Sequence, residues 1–426
     1  MKKMKNNREV FGWLIYDFAN SAFATTILAG ILPLYFVSYV VPHEGISLGL
    51  FGLRFNTHAS SLWAYSISIS TLLVAMFAPV LGTIADLSHT RKKFLFAFCY
   101  LGCLCTGFLY FVKRGDYWAA IILFILANIG FEGSNVFYNA FLRSIAQGEI
   151  DWISGKGFAY GYLGGGIILA INLLIITKYQ WFGLSSKEMG MRVSFLLVGF
   201  WWAIFSIPTF FLLKEHGNVS ISLRKEVYQG FLTIFKIIKR LSQHRQATRF
   251  LIAFLIYNEG IQTVIVIAIV FGAVELLLKE STLIGILLMV QFIGIPGTLF
   301  FGKLARKIGA KATLLIILNI WVLVTIYAFF MRGEIGFWAL GIIIGLILGG
   351  SQALSRSLYA MLIPSGHESE FFGFYAISQK FSAILGPLGF GIIRDITGSL
   401  RYSIIFLASF FLIGMLILNK IELRRP

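Results

Sequence analysis

Gly82-Thr-Ile-Ala-Asp86-Leu-Ser-His-Thr-Arg91-Lys92-Lys93 lies between two long apolar runs, and Gly302-Lys-Leu-Ala-Arg306-Lys-Ile-Gly309-Ala-Lys311 lies between two later ones. Two short basic loops of one pattern in one chain point to duplication. Other stretches return in the same order. Gly133-Ser134-Asn135 reappears as Gly350-Ser351-Gln352, and Leu14-Ile15-Tyr16 as Leu255-Ile256-Tyr257, the last pair set further apart by the loop 42–59. A unit of six apolar runs has been used twice. Two similar halves rocking about a site near the membrane midplane are what alternating-access transport needs.

The runs flanking these loops are about twenty residues long, the length that crosses a bilayer as a helix. Reading outward gives twelve: 10–41, 60–85, 94–112, 117–142, 155–177, 191–213, 250–272, 282–301, 312–331, 337–361, 374–393 and 402–420. Of the 426 residues 58% are hydrophobic and 13% charged, against about 25% charged in a soluble domain. A soluble globular protein is excluded. The expected fold is an all-α integral membrane protein with twelve transmembrane helices in two six-helix pseudo-repeats, 1–213 and 250–426. The linker 214–249 carries Leu223, Val227, Phe231, Ile234, Ile238 and Leu241 at helical spacing, an amphipathic helix suited to a membrane face.

The net charge of +17 would suggest nucleic-acid binding in a soluble chain. Here no nucleic-acid partner is needed, because the basic residues occupy short loops. If both termini share a side, that side holds 25 Lys and Arg and the opposite loops ten, which places both termini and the linker in the cytoplasm. The cell membrane is the expected location. The start MKKMKNNREV resembles a secretory signal, but the apolar run after it is longer than a cleaved core and carries Asp17 and Asn20. Cys99, Cys103 and Cys105 share one apolar run and read as small core residues. All six histidines fall in loops, which argues against bound haem and an intramembrane histidine relay.

A charge at hydrocarbon depth costs at least ~2.5 kcal/mol and normally faces a cavity or a partner. The first span carries Asp17, Asn20, Ser21 and Ala24 at i, i+3, i+4 and i+7, one polar stripe. The fourth does the same with Asn128, Glu132, Asn135 and Asn139. The seventh offers Asn258, Glu259, Gln262 and Thr263, the tenth Gln352, Ser355 and Arg356, and the eleventh Gln379 and Lys380. These are the candidate substrate- and proton-binding residues; the alternative for each is an inter-helix hydrogen bond or buried ion pair that only holds register. Proton coupling, if present, falls to carboxylates, and Glu132 comes first because a full stripe surrounds it. Proton-independent uniport stays open, since a carboxylate can bind an ammonium without titrating.

Gly155, Gly157, Gly161 and Gly164-Gly-Gly166 read as a surface for close helix packing. No P-loop is present, which argues against primary ATP-driven transport. Gly386-Pro387-Leu388-Gly389 is expected to kink the eleventh span. No nucleophile–base pair or metal-ligand cluster occurs within the spans, so no enzyme and no cofactor is expected. A transporter leads over a transporter-like receptor or lipid-handling protein.

The loop pattern Gly82-x-x-Ala85-Asp86 with Arg91-Lys92 resembles the signature of the major facilitator superfamily. Tyr16-Asp-Phe-Ala-Asn-Ser-Ala-Phe-Ala-Thr-Thr26, Asn128-Ile-Gly-Phe-Glu-Gly-Ser134, Phe137-Tyr-Asn-Ala-Phe-Leu142, Gly161-Tyr-Leu-Gly-Gly165, Gln352-Ala-Leu-Ser-Arg-Ser357 and Glu370-Phe-Phe-Gly-Phe-Tyr375 resemble its branch called the unknown major facilitator family, which includes yeast-type vacuolar amino-acid effluxers. The resemblance implies that the first, fourth, seventh and tenth helices line a central cavity, where the polar stripes fall. It also implies a gating role for Gly82, Asp86, Arg91, Lys92, Gly302, Arg306 and Gly309. His89 stands where the motif has Gly, and Arg306 where the second copy has its acidic residue, which leaves the gating contact to Asp86. A monomer is expected, with an amino acid or similar small zwitterion as substrate, its ammonium on Glu132 or Asp17 and its carboxylate on Arg356. The planar guanidinium suits bidentate carboxylate binding.

Overall fold

The computed structural model describes residues 2–42, 45–50, 53–87, 91–146, 150–214, 244–362, 375, 378–379 and 381–422. Helix is almost the whole of it, and ten segments among the described residues are long and apolar enough to cross a membrane. Bulky apolar side chains such as Phe200, Phe211, Leu323, Phe330 and Leu416 stand exposed on these helices. In water such a surface would aggregate; facing hydrocarbon it costs nothing.

The chain divides into two compact units, 1–42 with 73–234 and 43–72 with 235–426. In the first unit α1 (Lys2–Ala22) passes into a π-helical stretch, Phe23–Leu28. The path breaks at Ala29-Gly30 and resumes as α2 (Ile31–Tyr35) and a second π-helical turn to Val40. The first span is therefore broken, where apolar continuity predicts a single rod. Gly30 adopts φ −116°, ψ −97°, outside the helical region, a departure that glycine makes at least cost. The later half of α3 (Ala59–Leu87), α4 (Arg91–Phe108), α5 (Tyr117–Ala146), α6 (Ile150–Thr177), α7 (Lys187–Phe205) and α8 (Ile207–Leu212) complete this unit. Ser186 caps α7 by accepting the Met189 N–H at 3.1 Å, with Glu188 in the first turn.

Helix α6 presents its glycines to α1, as their spacing predicts. A Cβ on Gly164 would stand 2.1 Å from the Phe18 carbonyl oxygen, one on Gly165 2.7 Å from the Thr25 methyl, and one on Gly161 2.6 Å from Ser21 Oγ. Cys99, Cys103 and Cys105 are buried on α4.

The second unit contains the one departure from an all-helical chain among the described residues. The loop expected at 42–59 forms an antiparallel hairpin, β1 (Ile46–Leu50) on β2 (Leu53–Thr57), with Ile46 opposite Thr57 and Leu50 opposite Leu53. The first half of α3 follows, and then α9 (Arg245–Val274), α10 (Glu280–Ile308), α11 (Ala310–Phe330), α12 (Gly333–Leu362), α13 (Leu385–Thr397) and α14 (Leu400–Asn419). Helix α13 begins after a turn at 382–384, so the eleventh span is interrupted before the glycine–proline motif instead of kinked at it. Pro387 falls in the first turn, where a missing N–H breaks no helical bond. The amphipathic linker lies outside the described residues.

Neighbour pairs recur between the units. α1 packs on α6 and α7, α4 on α5 and α7; in the second unit α9 packs on α13 and α14, α11 on α12 and α14.

Candidate substrate and coupling site

In the first unit the structure brings three predicted residues together. Asn20, on α1, donates its Nδ2 hydrogen to Asn135 Oδ1 on α5 at 2.8 Å. One turn earlier on α1 stands Asp17, half-buried. A Cβ on Gly157 of α6 would lie 2.9 Å from its Oδ2, so the missing side chain there makes room for the carboxylate. Beside it on α5 is Tyr138, whose buried hydroxyl interacts with the Asp17 carboxylate. The Tyr138 ring is fixed by stacking on Trp13 at 4.4 Å, while Trp13 Nε1 donates to the Tyr138 carbonyl at 3.0 Å. The cluster thus holds a carboxylate, a phenol and two carboxamides on α1 and α5, with α6 packed against it through Gly157. Glu132, first on spacing, is half-buried and engaged with other groups; Asn139, last on the same stripe, is exposed.

The second unit gathers a different set. Glu259, on α9, is 1% exposed. Its Oε1 accepts the Gly386 N–H at 2.5 Å, and Oε2 has no hydrogen-bond partner. Asn258 donates to Ser382 Oγ, and Tyr257 pairs with Ser355 of α12 at 2.6 Å. Gln262 and Gln352 are half-buried, and Arg356 is exposed, acting electrostatically on Tyr375. Lys380 lies outside the described residues.

Of the loop residues, Gly82 and Asp86 lie in the last turns of α3. Lys92 donates to the Leu213 carbonyl at 3.1 Å, and Arg91 at the start of α4 is half-buried. Gly302 has open space around its Cα, Arg306 is exposed in the last turn of α10, and Gly309 ends that helix at φ 89°, ψ 150°, a conformation essentially confined to glycine.

One cluster has no counterpart among the predicted residues. Asp395 on α13 accepts the His58 N–H at 3.2 Å and the Tyr65 hydroxyl at 2.7 Å, with His58 Nδ1 at 3.0 Å. Nearby in the same unit, Glu275 holds Arg401 Nε at 2.9 Å and the Leu400 N–H at 3.2 Å. Arg401 also donates to the carbonyls of Phe329 and Met331. These residues sit at span ends, where a polar side chain costs nothing and gives no signal in hydropathy.

Comparison with known proteins places this architecture. The family model described as "Vacuole effluxer Atg22 like" matches residues 5–151 and 146–426. The MFS-type transporter YxiO of Bacillus subtilis is 34% identical over 412 residues, covering 95% of this chain and 93% of that protein. Autophagy-related protein 22 of Kluyveromyces lactis is 25% identical, over 98% of this chain and 94% of that one. Among solved structures, the nucleoside transporter NupG shares the fold with a TM-score of 0.67 at 15% identity, covering 97% of this chain and 98% of that one. An inward-facing, occupied bacterial homologue of the human lysosomal transporter Spinster gives 0.67 at 12% identity, covering 98% and 96%. Ten candidate spans, their lipid-type exposed faces and a match along nearly the whole length agree: the chain is a multi-pass membrane transporter of the major facilitator type and belongs to the Atg22-like vacuole effluxer family.

Proposed function

We propose that the protein is a secondary active transporter that moves a small zwitterion, an amino acid or a close analogue, by alternating access. Asp17 carries the reading. A protonated amine brings three N–H donors, and the cluster on α1 and α5 offers acceptors for them: the Asp17 carboxylate, the Tyr138 hydroxyl beside it and the remaining lone pair of Asn135 Oδ1. Gly157 and Gly161 let α6 pack directly against that carboxylate. The family description as vacuole effluxers supports the transport role.

On this reading the two six-helix halves, 1–213 and 250–426, are pseudo-repeats, which the recurring neighbour pairs support. Both termini and the linker 214–249 face the cytoplasm, from the 25 to ten division of basic residues. The protein works as a monomer in the cell membrane. Arg356, exposed on α12, receives the substrate carboxylate. Transport of labelled neutral amino acids in proteoliposomes should fall steeply in Arg356→Gln, while a matched amine lacking the carboxylate is affected much less. Equal loss of both would reassign Arg356 to a structural or gating role.

A further inference from the structure

Glu259 does work that its place in a polar stripe does not explain. It reaches from α9 to the start of α13, where the eleventh span is interrupted, and holds the first turn of that helix by its backbone. Gly386 N–H donates to Oε1 at 2.5 Å, and the N–H groups of Leu385 and Ile384 act on the same carboxylate. These are among the donors that every helix leaves without an internal partner at its N-terminus. An anionic group there gains from the hydrogen bonds and from the helix dipole. The glycine is required: a Cβ on Gly386 would lie 1.9 Å from Thr263 Oγ1 and 3.1 Å from the Glu259 carbonyl oxygen. The approach of the helix end to α9 depends on its absence.

The same carboxylate is left half-satisfied. Oε2 is buried without a partner in a residue 1% exposed, and a buried acceptor left unmade costs about 1–3 kcal/mol or more for a charged group. No charged side chain among the described residues acts on it. On α9 itself, Tyr257 is paired with Ser355 of α12, and Glu275 at the far end with Arg401 of α14. Arg394 and Asp395 of α13 lie more than two turns beyond the cap. Arg356 of α12 acts on Tyr375, α14 presents Phe411 to Gly260, and Lys303, Arg306 and Lys307 of α10 are exposed. What Oε2 can take in this setting is a proton from water.

We propose that Glu259 is a proton-binding positioning residue. Ionised, it caps α13 and holds the interruption at 382–384 closed; with a proton on Oε2 the cap loses its charge and α13 is free to swing about that interruption. The anchors beside the cap are neutral and weaker: Asn258 on Ser382 Oγ, and Ser68 Oγ donating to the Ile384 carbonyl at 3.0 Å. Proton binding at one atom is thereby converted into motion of a half-helix. The inference rests on the transporter reading and moves the coupling role from Glu132 to Glu259.

Two measurements test it. In proteoliposomes, the stimulation of labelled neutral amino-acid flux by a pH gradient should vanish in Glu259→Gln; stimulation equal to that of the unsubstituted protein overturns the proposal. Separately, a cysteine at Ser378, ahead of the interruption, should be labelled several-fold faster on acidification when Glu259 is present and at a pH-independent rate in Glu259→Gln. A pH-independent rate with Glu259 in place overturns the proposal without reference to flux. Absence of any amino-acid flux in the unsubstituted protein would instead remove the transport reading, and the labelling experiment would still decide the cap.

Discussion

Asn20 and Asn135 join α1 to α5 by a side-chain hydrogen bond of 2.8 Å, with Asn20 only 2% exposed. The bond turns two polar stripes on separate spans into one surface, and it fixes the position of Asn135 beside Asp17 and Tyr138. Hydrogen bonds between membrane helices are worth roughly 0.6 kcal/mol in double-mutant cycles. Asn20→Ala and Asn135→Ala should each lower unfolding stability in detergent by about that amount, and the double variant should lose little more than either single one. Fully additive losses would mean the two residues act independently.

The ties at the far end of the second unit are stronger. Arg401 holds a carboxylate and two backbone carbonyls at once, a geometry that needs the guanidinium fork. Arg401→Lys should cost on the order of 1–3 kcal/mol, from charge-assisted bonds that a single ammonium cannot all replace. Thermal unfolding of the purified variant measures it, and an unchanged transition would show that the cluster is dispensable.

How much of this was open to the sequence depends on the residue. Asp17, Asn20 and Asn135 were found because charge and amide groups are rare at hydrocarbon depth, and their spacing places them on one face. Tyr138 escaped notice because a phenol passes as an ordinary aromatic until its hydroxyl is seen buried beside Asp17. Gly157 was read as packing, and it does pack, yet its neighbour across the interface is the Asp17 carboxylate. The interruption of the eleventh span was misplaced, since Pro387 looks like a mid-helix breaker when the upstream turn at 382–384 carries no proline or glycine of its own. Asp395 and His58 are far apart in the chain and sit at span ends, where hydropathy is silent.

Asp86, in the loop motif ahead of α4, is expected to act in switching between access states and not in binding. Asp86→Asn should slow net flux several-fold while leaving equilibrium affinity for a neutral amino acid nearly unchanged, as when a substitution alters the balance of states more than ligand contacts. Binding measured by thermal shift alongside flux separates the two. A large loss of affinity with normal turnover would reject the role.

Substrate recognition by Asp17 is the claim on which the account turns, and flux of labelled neutral amino acids through proteoliposomes carrying the unsubstituted protein and Asp17→Asn tests it most directly. A charge-assisted hydrogen bond of about 1.5–3 kcal/mol corresponds to a loss of roughly ten- to a hundredfold in affinity. The account predicts saturable flux in the unsubstituted protein and at least a tenfold rise in the concentration giving half-maximal flux in Asp17→Asn. Flux with the same half-saturation in both proteins, or none in either, would contradict it.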